Sequence, residues 1–362
     1  MTSGPAKTCS VLIVGGGPCG LVLANELGRR GVTAVLVDQK PTTAFNPQAN
    51  ATQARTMEHF RRLGLAREIR SLGLPPDFPT DVAYFTRYAH HELARFELPS
   101  ANEAMERIRR LSGSWSAAEL PHRVSQKFVE QVLRRGAEAL RTVSINYGWR
   151  LLRFSQSESA IRADVERMSD GVVQSIEAAY LVGADGPRST VRQALGIGYS
   201  GEEGVVRDFF GGRMYAIYLR APDFYKSVPH RPAWMNVTFN RDRRAFMAAV
   251  DGRSEFAFHT QLRAHELEHE ITHDRAVSVF QAAVGKAIDV DVLSRGAWVA
   301  GYALVAERFQ VGRVFIAGDA AHLFTPAGGL GYNTAVEDAV NLGWKFAEVV
   351  RGRAGSSRHL RT

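Results

Sequence analysis

Three glycine-bearing stretches, far apart in the chain, carry residue types at spacings that suit binding chemistry. The first is Gly15-Gly16-Gly17-Pro18-Cys19-Gly20. Gly15, Gly17 and Gly20 leave room for a pyrophosphate to approach the backbone. N–H groups at a helix start then face the anion. Asp38 stands 18 residues beyond Gly20 and can accept hydrogen bonds from ribose hydroxyls. The second stretch runs Gly183-Ala184-Asp185-Gly186-Pro187-Arg188-Ser189. Taken alone, Asp185 is a turn residue, as an Asp before Gly usually is. The third holds Gly318-Asp319-Ala320-Ala321-His322, followed by Pro326-Ala327-Gly328-Gly329-Leu330-Gly331-Tyr332-Asn333. Its glycines permit close backbone approach to something flat or anionic.

Each stretch needs a strand before it and a helix after it. Residues 10–14, Ser-Val-Leu-Ile-Val, read as a buried parallel strand, and residues 20–30 as a helix that Gly31 ends. Residues 33–37 form the next strand, so the chain opens with a βαβ unit. Together with Asp38, this context favours dinucleotide binding over a purely structural glycine turn. Further helices are expected at Arg55 to Leu63, Gln126 to Leu140, 275–285 and Thr334 to Val350. The proline-rich residues 73–80 read as a loop. Residues 143–182 alternate like hairpin strands, ending in apolar Tyr180-Leu181-Val182, which feeds the second turn. Val314 to Ala317 is a buried strand that feeds the third. Between about 205 and 260 the pattern is strand-rich, at Met214 to Leu219, Val237 to Phe239 and Phe246 to Val250, and reads as a separate antiparallel sheet interrupting the first domain.

The composition narrows the function classes. With 45% hydrophobic and 23% charged residues, the 362-residue chain reads as globular, and its length suits two or three lobes. The formal charge of +8 comes from scattered arginines and doublets, with no nucleic-acid-binding motif. A basic surface that attracts anionic cofactors is the better reading. No apolar run has membrane-spanning length, and the N-terminus lacks the core of a secretion signal. Cys9 and Cys19 are the only cysteines, which suits a reducing cytoplasm. His265-Glu266-Leu267-Glu268-His269 departs from zinc-protease spacing and reads as a solvated helix face, so no metal is expected. No G-x-S-x-G elbow is present.

In order and spacing, the three stretches resemble the single-component FAD-dependent aromatic hydroxylases, the family of para-hydroxybenzoate and phenol hydroxylases. The resemblance covers about residues 10–350. Arg55-Thr56-Met57-Glu58 looks like the phenol and polyketide hydroxylase branch. It implies an α/β fold: a Rossmann-like FAD-binding domain with an inserted mixed or antiparallel β-sheet substrate domain. The FAD-binding parts would be residues 1–80, 122–204 and 301–352. Residues 81–121 would supply substrate-side strands and loops, 205–300 the substrate domain, and 353–362 a disordered tail.

The resemblance also implies roles. Gly15, Gly17, Pro18 and Gly20 would hold the FAD pyrophosphate, with Asp38 and Gln39 at the adenosine ribose. Arg55 would reach the phosphate region, unless it is a surface helix arginine. Gln126 would lie near the ribityl chain. Asp185 is associated with both FAD and NAD(P)H. Gly318 and Asp319 would bind the ribityl hydroxyls. Pro326, Gly328, Gly329, Leu330, Gly331 and Asn333 would line the isoalloxazine ring. His322 is expected to be structural. In some phenol hydroxylases the position matching Asn50 is an Asp, and an Asn cannot act as a base.

The implied reaction is hydroxylation of a small phenolic or other aromatic compound with NADPH or NADH and O₂, through a flavin hydroperoxide. A polyketide or antibiotic substrate, a non-catalytic FAD-fold binder and an inactive truncated form are the alternatives. The last is raised because many relatives continue past the final helix. A homodimer is one option for assembly. Met214, Tyr215, Trp234, Met235 and Phe246 are candidate pocket walls, with Tyr332 and Pro326 opposite. Tyr215 and Pro326 are the catalytic candidates, Tyr215 the sharper, since its phenol can bias a substrate toward phenolate; the competing reading makes Tyr215 sheet core.

Overall fold

The computed structural model describes residues 7–111, 117–202, 212–263 and 266–355. The expected boundary at 204–205 and residues 356–362 of the tail lie outside the described residues.

Strand β1 (Thr8–Val14) is buried from Val11 to Val14 because it runs through the middle of a parallel sheet. Helix α1 (Pro18–Arg29) follows, with Leu21, Val22, Leu23, Ala24 and Leu27 all buried. Gly31, at φ 70°, turns the chain into β2 (Ala34–Asp38). Helices α2 (Ala54–Arg62) and α3 (Ala66–Ser71) precede the outlying pair β3 (Val82–Phe85) and β4 (Glu92–Phe96). Helix α4 (Ala101–Arg110) starts at a capping box: Ser100 accepts from the Glu103 N–H, and the Glu103 carboxylate accepts from the Ser100 N–H.

Helix α5 (Gln126–Glu138) leads back to β5 (Val143–Tyr147), then β6 (Trp149–Gln156), β7 (Ile161–Arg167) and β8 (Val173–Gly183). The short α6 (Thr190–Ala194) and β9 (Tyr199–Glu202) come next. The second lobe holds β10 (Gly212–Arg220), α7 (Phe224–Ser227), β11 (Met235–Phe239), β12 (Arg244–Ala249), β13 (Glu255–Gln261), α8 (His273–Val284) and β14 (Asp291–Ala300). The chain then returns through β15 (Ala303–Ala306), β16 (Gln310–Val311), β17 (Val314–Ile316), β18 (His322–Leu323) and α9 (Leu330–Val350).

The first sheet runs β16-β17-β8-β1-β2-β5, and β17, β8, β1, β2 and β5 run parallel. Strand β8 is long enough to serve twice. Its C-terminal half pairs with β1, and its N-terminal part pairs antiparallel with the β6–β7 hairpin. Helices α1, α5 and α9 cover one face. The second sheet, β14-β10-β13-β12-β11-β3-β4, is antiparallel except where β3 joins β11 in parallel. Its own core, with Phe224, Phe256, Phe258 and Phe280, lies under α7 and α8. The fold is thus α/β, Rossmann-like, with an inserted mixed sheet.

Several elements differ from expectation, among them helix α4, which lies within residues 81–121, where strands and loops were expected. Helix α9 begins at Leu330 rather than Thr334, because Gly329 (φ 59°) starts it and Gly331 is helical. Strand β14 gave no signal because most of its residues are half-buried rather than alternating.

Helices α1 and α9 touch backbone to backbone at Gly343, where an added Cβ would sit 2.5 Å from the Glu26 Cβ. Glu26 is fully buried and bonded to Arg30 and Arg62, so it has little freedom to yield. Gly343→Val should therefore lower stability by about 1–3 kcal/mol, the usual cost of overpacking. Urea unfolding measures this. An unchanged midpoint would mean that the two helices separate freely.

Candidate active site

Strands β17, β8 and β1 are neighbours, and all three glycine stretches leave their C-terminal ends. Val14 and Ile316 both register against Gly183. Sites in open parallel sheets form at such an edge.

At the first turn, packing dictates two of the glycines. Gly15 has φ 115°, and a Cβ on it would lie 2.1 Å from the Ala184 carbonyl oxygen of the second turn. A Cβ on Gly20 would lie 1.9 Å from the Gly15 oxygen. Gly17 is different: nothing lies within 4 Å of a Cβ built there. It caps α1, Pro18 fills the first helical position, and no side chain caps the helix. Gly17 therefore keeps an open space over a positive helix end. The Asp38 carboxylate accepts from the N–H of Gly16 at 2.6 Å and of Lys40 at 2.7 Å. Gln39 beside it is exposed. Tyr147 donates its hydroxyl to the Gly16 carbonyl at 2.6 Å, a contact the sequence did not signal.

In the second turn, Asp185 accepts from the Ser189 hydroxyl and from the Val191 N–H. Burial pushes its carboxyl above the usual range, against those bonds. In the third, Gly318 (φ 61°) rests on Cys19 and Ala335 and donates its N–H to Asp338 at 2.8 Å. The same Asp338 oxygen lies 2.6 Å from His322 Nε2. His322 thus props the turn, which matches a structural role. Asp319 is solvent-accessible, yet protein atoms crowd its carboxylate and push its pKa up, with His322 opposing. Its backbone carbonyl accepts the Tyr199 hydroxyl at 2.6 Å, but among the described residues its carboxylate accepts no hydrogen bond.

Asn333, 4% exposed, uses its whole amide. It accepts from the Gln53 N–H (2.9 Å) and the Thr56 hydroxyl (2.7 Å), and donates to the carbonyls of Ala51 (3.0 Å) and Gly329 (2.7 Å). It ties the Pro326–Gly331 turn to the start of α2. Pro326, Gly328 and Leu330 are exposed there, and nothing lies near a Cβ on Gly331. Gln126, at the start of α5, donates to Glu130 at 2.7 Å. Glu130 also accepts the Ala44 N–H at 2.7 Å and has its pKa raised by burial. Arg55 points outward, paired with Glu58 at 3.1 Å and near Glu337 at 3.9 Å, as a surface helix arginine does.

The expected pocket wall does not hold together on one face. Alternation puts Met214 and Phe246 in one cluster with Val237, and Tyr215 on the opposite side among Ile217, Leu219 and Phe258. Tyr215 is 2% exposed and donates its hydroxyl to the Ile271 carbonyl at 3.3 Å. That placement makes it sheet core rather than a group facing a substrate. The face carrying Met214 meets the first lobe through Tyr218, which bonds Lys127 of α5 and Glu255. On the same face His259 stacks on Phe246, and burial drives its pKa down to about 4, so it is neutral. Asn50 is half-buried with no hydrogen bond among the described residues.

A cavity of about 190 Å³ opens elsewhere, between Arg87, Asp242, Arg243, Arg275 and Ala283, and holds none of the turn residues. Its size does not outweigh the geometry of the three turns. Of the His265 to His269 segment, His265 lies outside the described residues; Glu266 is bonded to Arg243.

Burial lowers the pKa of His322, but the hydrogen bond and charge of Asp338 outweigh it and leave it above 6.5. Protonated His322 therefore stabilises the fold below pH 6.5, and this contribution fades as pH rises through the raised folded value. The melting-temperature advantage of the native chain over Asp338→Asn should shrink between acidic and alkaline pH. A constant difference would remove His322 titration from the stability of the turn.

The model of the family described as "FAD binding domain" matches residues 8–361. Pentachlorophenol 4-monooxygenase of Sphingobium chlorophenolicum is 32% identical over 355 residues, 97% of this chain and 60% of the relative. Aklavinone 12-hydroxylase DnrF of Streptomyces peucetius is 32% identical over 367 residues, 95% of this chain and 68% of that protein. The structure of the flavin-dependent monooxygenase PieE in complex with FAD and substrate superposes with a TM-score of 0.85 at 28% identity, over 97% of this chain and 60% of that one. The chain thus spans about 60% of the length of the pentachlorophenol enzyme and of PieE. No helix among the described residues is long and apolar enough to cross a membrane. With the three turns set side by side on a parallel sheet, the chain belongs to the FAD binding domain family.

Proposed function

We propose that this chain is the flavin-binding and substrate-binding part of an FAD-dependent monooxygenase that hydroxylates a phenolic or other aromatic compound, using NADPH or NADH and O₂. The observation that carries this reading is the convergence of the three turns at one sheet edge. Residues here fit the cofactor. Gly17 leaves a space over an uncapped helix end, where a pyrophosphate is stabilised by backbone N–H groups. Asp319 offers a carboxylate without a partner among the described residues, suited to ribityl hydroxyls. The Pro326–Gly331 turn presents Gly328 backbone beside the exposed apolar side chains of Pro326 and Leu330, suited to a flat ring.

Bound FAD would supply hydride acceptance and O₂ activation. The chain's own residues bind and orient. Gly15, Gly17, Pro18 and Gly20 would hold the pyrophosphate, with Asp38 and Gln39 beside the ribose. Gly318 and Asp319 would hold the ribityl chain, with Gln126 near it. Pro326, Gly328, Gly329, Leu330 and Gly331 would line the ring, while Asn333 positions them. Asp185 shapes the neighbouring turn. Arg55 must swing inward from Glu58 to reach a phosphate. The aromatic substrate would lie between this turn and the second sheet, at the edge where Ala51 and Met235 pack on the cluster that holds Trp234. A larger polyketide-type aromatic is the second reading, since relatives named polyketide hydroxylases match at 30–31% identity.

The purified chain should be yellow or gain flavin absorbance when FAD is added. NADH or NADPH consumption should rise with a phenol that accepts hydroxyl. Asp319→Ala should weaken FAD binding by about 1.5–3 kcal/mol, as loss of a charged hydrogen bond does. His322→Ala should weaken it less. A colourless chain that takes up no FAD would sink the proposal, and equal losses in the two variants would remove Asp319 from the ribityl site.

A further inference from the structure

Arg123 stands three residues before Gln126, at the entry to α5, and is half-buried. Its guanidinium carbon lies 3.7 Å from the centroid of the Trp234 ring. It has no acid partner and donates no hydrogen bond among the described residues. Arginines of the second lobe contrast sharply: Arg95 is paired with Asp81 and Glu92, and Arg243 with Glu266. A cation withdrawn from water is costly unless an anion meets it. Stacking on an indole offsets only part of that. Burial pulls the guanidinium down to about 10, so it is still charged at neutral pH. Among the described residues, the Trp234 indole N–H is also buried without a partner.

The position gives this vacancy of charge a direction. His122 is bridged to Thr52 by a reciprocal pair of backbone bonds, each 2.9 Å. Ala51, next to Thr52, packs on the cluster that holds Trp234 and lies 3.8 Å from a Cβ built on Gly329. Arg123 and Trp234 therefore meet across the seam between the proposed ring-lining turn and the second sheet. We propose that Arg123, backed by Trp234, receives an anionic oxygen of the aromatic substrate, a phenolate or carboxylate, and makes the site select the ionised form. This rests on the aromatic hydroxylase reading of the site. In that role Arg123 holds the substrate's negative oxygen and takes no proton from it.

Binding to the FAD-loaded protein tests this without turnover. The probes are pentachlorophenolate and benzoate, both ionised at neutral pH, with benzamide as the neutral match, read by flavin absorbance and tryptophan fluorescence. The native chain should prefer benzoate to benzamide. Arg123→Gln should weaken both anions about 10-fold to 100-fold and leave benzamide and FAD affinity unchanged. Arg123→Lys, which keeps the charge, should recover part of the loss. Benzamide binding as tightly as benzoate, or no anion binding at all, would overturn the proposal. A parallel loss of FAD affinity in Arg123→Gln would do so too, by assigning the guanidinium to a cofactor phosphate. Anion selectivity without hydroxylated product would leave Arg123 in place and sink the reaction instead.

Discussion

The site depends on one steric constraint: the peptide of Ala184 lies where a side chain on Gly15 would have to be. This contact joins the first and second turns, and Gly20 repeats it one step on by packing against the Gly15 carbonyl. Gly318 sits on Cys19 in the same way and brings the third turn to the first. Three loops separated by well over a hundred residues are thus locked edge to edge by missing side chains. Only Gly17 is small for another reason, since no protein atom crowds it. Steric necessity and ligand access are therefore separable within a single glycine pattern.

Side-chain bonds then fix what the glycines bring together. Asp338 receives both Gly318 and His322, and Asn333 holds four groups from three segments. Neither residue need touch a ligand to matter. A buried amide that uses all its donors and acceptors has one favourable orientation, so it transmits the position of α2 to the Pro326–Gly331 turn. Lys127, Tyr218 and Glu255 play the corresponding part between α5 and the second sheet.

Much of this was legible in the chain. Apolar runs followed by glycine marked β1, β8 and β17; α1 and α6 followed β1 and β8 within a few residues, while α9 came only after β18. The order of the three turns pointed to FAD binding, which family membership supports. What the sequence could not convey was direction. Tyr215 and Met214 are neighbours in a strand, so composition nominated both for one wall, while the pleat sends them to opposite faces. Arg55 sits in a family motif, but its pairing with Glu58 follows from helical spacing. Tyr147, Glu130, Asp338 and Arg123 were overlooked because isolated polar residues carry no periodic signal. They stand out once distances show which of them are partnered.

Charge at the edge of the sheet follows from the same geometry. Asp185, Asp319 and Glu130 all sit where burial raises their pKa, and the Asp319 carboxylate lacks a hydrogen-bond partner among the described residues. Arg123 is the opposite case, a cation with burial and no anion. A fold selected for stability alone would pair or replace such groups, since hydrophobic residues of similar volume often serve better. Their retention within one seam is what a binding site needs, because groups held ready lose little freedom when a ligand arrives. On the proposed function, Asp319 would face hydroxyl donors and Arg123 an anion.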